Sequence, residues 1–168
     1  MSGEHPLSTS SPSRVAPPLL LDGMLGRLAR WLRLLGYDAA YDREASDHAL
    51  VRRARAESRV LLTRDRRLAA RQGIQTLLII SENLEEQVHQ VRQALGQPPD
   101  PPLSRCPACN TPLLPTAREA VRDRVPPYVW RRQREFRLCP GCHRVYWPGT
   151  HVERIQTTLE TIEPPPQL

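Results

Sequence analysis

LLLDGMLGRLARWLRLLGYDAAYD, residues 19–42, is the stretch on which the fold turns. Leu19 to Leu21 read as a short buried strand that delivers Asp22 into a glycine-containing turn. Leu25, Leu28, Ala29, Trp31, Leu32 and Leu35 then recur on one arc at helical spacing, with Arg27, Arg30 and Arg33 on the opposite arc. Leu34 is out of pattern among the arginines. Gly36 stands where a helix commonly ends in a left-handed residue. Tyr37 to Tyr41 follow as a second strand, ending on Asp42.

Outward from this unit the same grammar repeats. Ser46 is a good N-cap for a helix over Asp47 to Glu57. Val60 to Thr63 (VLLT) is an apolar strand, and Arg67 to Gln72 is a short helix stopped by Gly73. Thr76 to Ile80 (TLLII) is a fourth strand. Leu84, Val88, Val91 and Leu95 form the stripe of a closing helix that ends at Gly96. The order β-α-β-α-β-α-β-α with short connections predicts an α/β domain with a mostly parallel sheet over residues 19–96.

The flanks differ in composition. Residues 1–18 are rich in serine and proline and predict a disordered lead-in. Residues 97–102 (QPPDPP) read as a stiff linker. Residues 103–159 carry cysteines, aromatics and arginine clusters, and 160–168 end in a Pro-rich tail expected to be disordered. The chain of 168 residues has a formal charge of +6, and all 24 basic residues are arginine. A GC-rich genome accounts for that bias without any function, but the positive balance still attracts polyanions such as nucleic acid or anionic membrane. No apolar run reaches the ~18 residues of a spanning helix, and no signal peptide is visible. The expected location is the cytoplasm, away from any membrane.

In a parallel sheet, Asp22, Asp42 and Asp65 end or follow successive strands, and Asp47 opens the second helix. All four therefore fall at one edge, where open α/β sheets bind ligands. Converging carboxylates repel unless a cation lies between them, and hard ions such as Mg²⁺ or Mn²⁺ suit oxygen ligands. Such a site fits phosphodiester cleavage. Taken singly, Asp47 also suits a helix N-terminus and Asp42 a loop. A receiver domain is excluded by the lack of lysine. A haloacid-dehalogenase-type phosphatase would place an Asp where Met24 stands. A dinucleotide fold would need more than Gly23 and Gly26.

Cys106-Pro-Ala-Cys109 and Cys139-Pro-Gly-Cys142 are two C-x-x-C knuckles, the donor set of a tetrahedral Cys₄ zinc site. The 29 residues between them exceed the usual spacing and predict an elaborated ribbon. Four cysteines close the site, leaving His143 and His151 outside it. Zinc would supply folding energy that so apolar-poor a module lacks. Between the knuckles lie seven arginines, including Arg131, Arg132 and Arg134, interleaved with Tyr128, Trp130 and Phe136. These suit single-stranded RNA, with forks on phosphates and rings on bases; alternatively the aromatics fill the ribbon's core and the arginines form a solvated face.

DGMLGRLARWLRLLGYDAAYD together with LLTRDRRLAAR and the closing RVYWPGTH resembles the PIN-domain-like ribonucleases of the Mut-seven C-terminal RNase family, over roughly Leu19 to Val152. The resemblance implies a PIN-like three-layer domain with an appended zinc ribbon. It also implies a Mg²⁺- or Mn²⁺-dependent RNase with Asp22, Asp47 and Asp65 at the metal and Arg27 and Arg64 beside it. Asp42 and Glu82 are secondary candidates for a further acid. Arg27, Arg30, Arg64 and the arginines of the ribbon would contact RNA, the expected partner. The rival expectation is a catalytically inactive PIN-like module that binds nucleic acid or ribosomes.

Overall fold

The computed structural model describes residues 14–149 together with 153, 154 and 157. Four strands, β1 (Leu19–Leu21), β2 (Ala39–Tyr41), β3 (Val60–Thr63) and β4 (Thr76–Leu78), form a parallel sheet in the order β2-β1-β3-β4. A 3-10 turn (Gly23–Leu25) leads into α1 (Gly26–Leu35); α2 (Asp47–Ala56), α3 (Arg66–Ala69) and α4 (Leu84–Leu95) follow in turn.

Side chains of successive strand residues point to opposite faces, and this sorts the core into two layers. Leu19, Leu21, Val60 and Leu62 pack with Leu28, Leu32 and Leu35 of α1 and with Val88 and Val91 of α4. Leu20, Ala40 and Leu61 pack with Leu50 and Ala54 of α2 and Leu68 of α3. The result is the expected three-layer α/β domain. The chain moves from β1 to β2 by way of α1 on one face. It returns from β2 to β3 and on to β4 by way of α2 and α3 on the other. Opposite directions on opposite faces are what a constant crossover hand requires.

Several local signals act as read. Gly36 closes α1 at φ 101°, its N–H reaching back to Arg33 and Leu32. The Ser46 hydroxyl caps α2 by accepting from Ala49 N. The second and fourth strands are shorter than expected: Tyr37 leaves the ladder, buries its ring and donates its hydroxyl to Gly96 O at 2.8 Å. The third helix is a single turn, Arg66–Ala69.

Arg33 and Leu34 depart from the expected two-sided helix. Both are buried, because the chain beyond α4 folds back over the C-terminal end of α1. The carbonyls of Asp100 and Pro101 press on Gly36, Leu103 N donates to Leu34 O, and the Leu103 side chain joins the main core. The Pro-rich segment is thus packed rather than swinging free. Residues 1–13 of the expected lead-in and the tail 160–168 lie outside the described residues. Residues 14–18 are not a loose lead-in, since Val15 bridges Gln97 and Ala16 is buried.

The C-terminal part is a three-stranded antiparallel sheet, β5 (Leu114–Thr116), β6 (Phe136–Leu138) and β7 (Val145–Tyr146). Between β5 and β6 run a 3-10 helix (Arg118–Arg124) and α5 (Pro127–Arg132). These pack on β6 through Val121, Val125, Val129 and Phe136. No helix among the described residues is long and apolar enough to cross a membrane.

Candidate functional site

The strand order reverses between β1 and β3: the chain leaves β1 over one face and β3 over the other. At such a switch point a crevice opens beyond the carboxyl ends of the strands. The pairing of Leu21 with Leu62 puts Asp22 and Thr63 on the next rung, at the mouth of that crevice.

Asp22 is buried, and its carboxylate is held on both oxygens. Met24 N donates to Oδ1 at 2.9 Å, which caps the 3-10 turn. The Thr63 hydroxyl donates to Oδ2. Thr63 Oγ1 in turn accepts from Asp65 N at 2.9 Å. One hydroxyl therefore ties the loop after β1 to the loop after β3. Sequence reasoning passed over Thr63, although a hydroxyl as the last residue of a buried strand was a visible signal.

The other acids are exposed. Asp65 caps α3, its Oδ1 accepting from Arg67 N at 2.7 Å and Leu68 N at 3.2 Å. Asp47 sits in the first turn of α2. Asp42, one residue beyond β2, accepts from Glu44 N in a local turn. Glu82 meets the Arg64 guanidinium at 3.1 Å. That pair borders a groove of about 140 Å³ lined also by Arg27, Leu28, Leu84 and Gln87. Arg27 and Arg30 are exposed on α1 and carry no ion pair among the described residues. Topology thus brings the acids to one edge, with Asp22 and Asp65 linked through Thr63. The three aspartates do not close to the spacing of a formed cluster: among the described residues, only the four cysteines put three or more metal-ligating atoms within 4.8 Å of one another.

Gly23 and Gly26 let this edge close. A Cβ on Gly23 would lie 2.6 Å from Arg43 O, and one on Gly26 would lie 2.8 Å from the Tyr41 hydroxyl. That hydroxyl donates to Gly23 O at 3.0 Å, fastening the turn to the end of β2.

At the cysteine site the Sγ atoms of Cys106 and Cys142 are 3.6 Å apart, and those of Cys109 and Cys139 are 3.4 Å apart. Four sulfurs about 2.3 Å from a tetrahedral zinc would stand about 3.8 Å from one another. The four side chains fit that ion. The two knuckles have one construction. Cys106 N and Cys139 N donate to Thr111 O and Arg144 O, while Asn110 N and His143 N return to Cys106 O and Cys139 O. Asn110 and His143 take φ of 68° and 61°, the left-handed conformation that the turn demands. His143 therefore shapes the second knuckle from outside the donor set; His151 lies outside the described residues. Burial raises the Cys109 thiol, but hydrogen bonds with Thr111 and with neighbouring cysteines outweigh it and bring it down to about 6. Cys142 goes the other way, up to about 12: a backbone hydrogen bond with Arg144 lowers it, but burial and hydrogen bonds with the other cysteines outweigh that, so the four thiols share their protons unevenly.

The first knuckle is docked on the α/β domain. Arg33 donates to Ala39 O at 2.7 Å, Pro107 O at 3.1 Å and Ala108 O at 3.2 Å. Asn110 donates to Asp38 Oδ1 and accepts from Ala39 N. These contacts gather at the start of β2, the end of the sheet away from Asp22.

The expected RNA-facing aromatics divide. Phe136 is buried in the insert's core, Trp130 is half-buried beneath Arg118, and Tyr128 is exposed. Arg131, Arg132 and Arg134 are exposed.

A three-layer parallel α/β domain with carboxylates at its switch point, joined to a Cys₄ ribbon, defines a class of two-part proteins with an acidic edge and a zinc-type module. Within that class, the family model for the Mut7-C RNAse domain matches residues 17–159, and the chain belongs to that family. Its family is one of ribonucleases, with RNA as the implied substrate. No curated protein and no solved structure matches the chain.

Proposed function

We propose that the chain is an endoribonuclease dependent on Mg²⁺ or Mn²⁺, with Asp22, Asp47 and Asp65 as its metal-binding acids. The observation that carries this reading is Asp22: a carboxylate only 5% exposed, hydrogen-bonded by one amide and one hydroxyl, with no arginine paired to it among the described residues of a chain with 24 arginines. A buried charge needs compensation, and each of its oxygens keeps a further lone pair for a cation. When bound, the cation would supply Lewis acidity for water activation and would neutralise the leaving oxygen. Asp65, tied to Asp22 through the Thr63 hydroxyl, and Asp47, in the first turn of α2, would complete the ligand set, with Asp42 and Glu82 as outer acids. The Arg27 and Arg30 face attracts the phosphate backbone, as do the unpaired arginines of the ribbon, whose own cysteines suit structural Zn²⁺.

Asp22→Asn and Asp65→Asn should each abolish cleavage of a labelled RNA in Mn²⁺. Both should keep the parent's circular dichroism, since asparagine also caps helices. Variants that cut as fast as the parent would remove the aspartates from the mechanism.

A second reading is a PIN-like scaffold that binds nucleic acid or ribosomes without cutting. It is favoured by the spread of the acids and by the capping role that Asp65 already fills. Mn²⁺ titration separates the two. A working site raises the melting temperature with Mn²⁺ and loses that rise in Asp22→Asn, whereas a scaffold responds to neither change.

A further inference from the structure

We propose that the helical insert between the two knuckles carries a subsite for single-stranded RNA. In it Trp130 stacks an unpaired base, Arg122 and Arg131 take flanking phosphates, and the Asp123 carboxylate accepts from the exocyclic amine of that base. The inference rests on the ribonuclease reading above for its choice of RNA, and names how the module would hold it.

A cleft of about 390 Å³ opens at the junction of the 3-10 helix and α5, lined by Arg122, Asp123, Pro127, Trp130 and Arg131. Its size is that of a site for one small ligand or one nucleotide. The two arginines above Trp130 are held differently. Arg118 lies 3.7 Å from the ring centroid and is fixed, donating through Nε and Nη2 to Trp130 O while Trp130 Nε1 donates to Arg118 O. Arg122 stands 5.0 Å off, and its guanidinium makes no hydrogen bond or ion pair among the described residues besides this ring contact. A base sliding onto the indole would replace a loose cation contact with a stacked one, and would release the Arg122 fork toward a phosphate.

The charges around the cleft are also uncommitted. Ion pairs among the described residues involve Arg53, Arg59, Arg64 and Arg105; none involves an arginine of the insert, although Glu119, Asp123 and Glu135 are close in sequence. Unpaired guanidiniums on an exposed helical surface are suited to release counterions from a polyanion.

Asp123 adds selectivity. Adenine, cytosine and guanine each present an exocyclic amine as donor, whereas uracil has none and offers only a ring N3–H set between two carbonyls that repel a carboxylate. The subsite should therefore take a base that bears an amine in preference to uracil.

The test uses the full zinc-loaded chain and short 2′-O-methyl homopolymers of A, C and U, which bind without being cut. Fluorescence anisotropy is followed over a range of salt. The parent should retain A and C more tightly than U. Trp130→Leu should weaken A and C about tenfold, the loss of one stacked base. Arg131→Ala should weaken all three and reduce the slope of log K against log salt by about 0.7. Asp123→Asn should bring U up toward A and C. Trp130 also packs on the insert's core, so the exposed Arg131 and Asp123 variants decide the matter. If both keep the parent's affinity, slope and base order, or if the parent retains none of the three, the subsite is wrong. Cleavage is scored separately on unmodified RNA. Retention that depends on the cleft in a chain that never cuts would sink the nuclease reading alone, whereas normal cutting with cleft-independent retention would sink the subsite alone.

Discussion

Thr63→Val removes one oxygen from the middle of the site and keeps the side chain's shape. The hydroxyl is fully buried, donating to Asp22 Oδ2 and accepting from Asp65 N at 2.9 Å. A hydrogen bond to a charged group contributes about 1.5–3 kcal/mol, and one between neutral groups about 1 kcal/mol. Valine leaves both partners without this bond, and Asp22 is too buried to replace it from water. The expected destabilisation is about 2–4 kcal/mol. Urea unfolding followed by circular dichroism gives the difference, with Thr63→Ser as the control that keeps the hydroxyl and should lose far less. The sharper measurement is a cycle with Asp22→Ala. If the hydroxyl acts on Asp22, the valine change in that background should cost only about 1 kcal/mol, leaving a coupling of about 1–3 kcal/mol. An equal cost in both backgrounds would refute the hydroxyl bridge. Cleavage should fall in Thr63→Val at full folding, because Asp22 is freed from its fixed orientation.

The knuckle contacts carry a prediction about zinc. Cys106→Ser should lower the zinc content measured by elemental analysis. It should also raise hydrogen exchange at Ala39 N, which is bonded to Asn110 Oδ1 just past the first knuckle; exchange there at the parent's rate would show that the docking survives without the metal. Asp38 sets an acid limb. Burial pushes its carboxyl up, but hydrogen bonds from Arg59 and Asn110 outweigh that and hold it below the usual carboxylate range. A depressed folded pKa stabilises above the unfolded value, near pH 4, and that stabilisation is lost as pH falls through the folded value. Asp38→Asn should flatten the fall of the melting temperature below about pH 4, and an unchanged acid limb would dismiss the assignment.

Much of the α/β domain was legible because its signals are local. The stripe of α1, the Ser46 cap and the Gly36 stop depend on residues within a few positions of one another, and hydrogen bonding and helical periodicity act over that range. The Cys knuckles are legible for the same reason, since two thiols three residues apart share one turn. The gathering of Asp22 and Asp65 at one edge followed from strand order and parallel direction alone.

What the tertiary structure alone decided is which polar atom meets which. Spacing puts Arg33 on the arc opposite the apolar stripe, which is correct for an isolated helix. Only the return of the chain some seventy residues later turns it into a buried donor to Pro107 and Ala108. Thr63 was one of four strand residues until the register set it beside Asp22. Phe136 and Trp130 stand six residues apart, yet one fills a core and the other lines a cleft. Periodicity determines which way a side chain faces from its own element. What lies across from it is set by packing between segments remote in the chain, and a buried polar group takes its role from that partner.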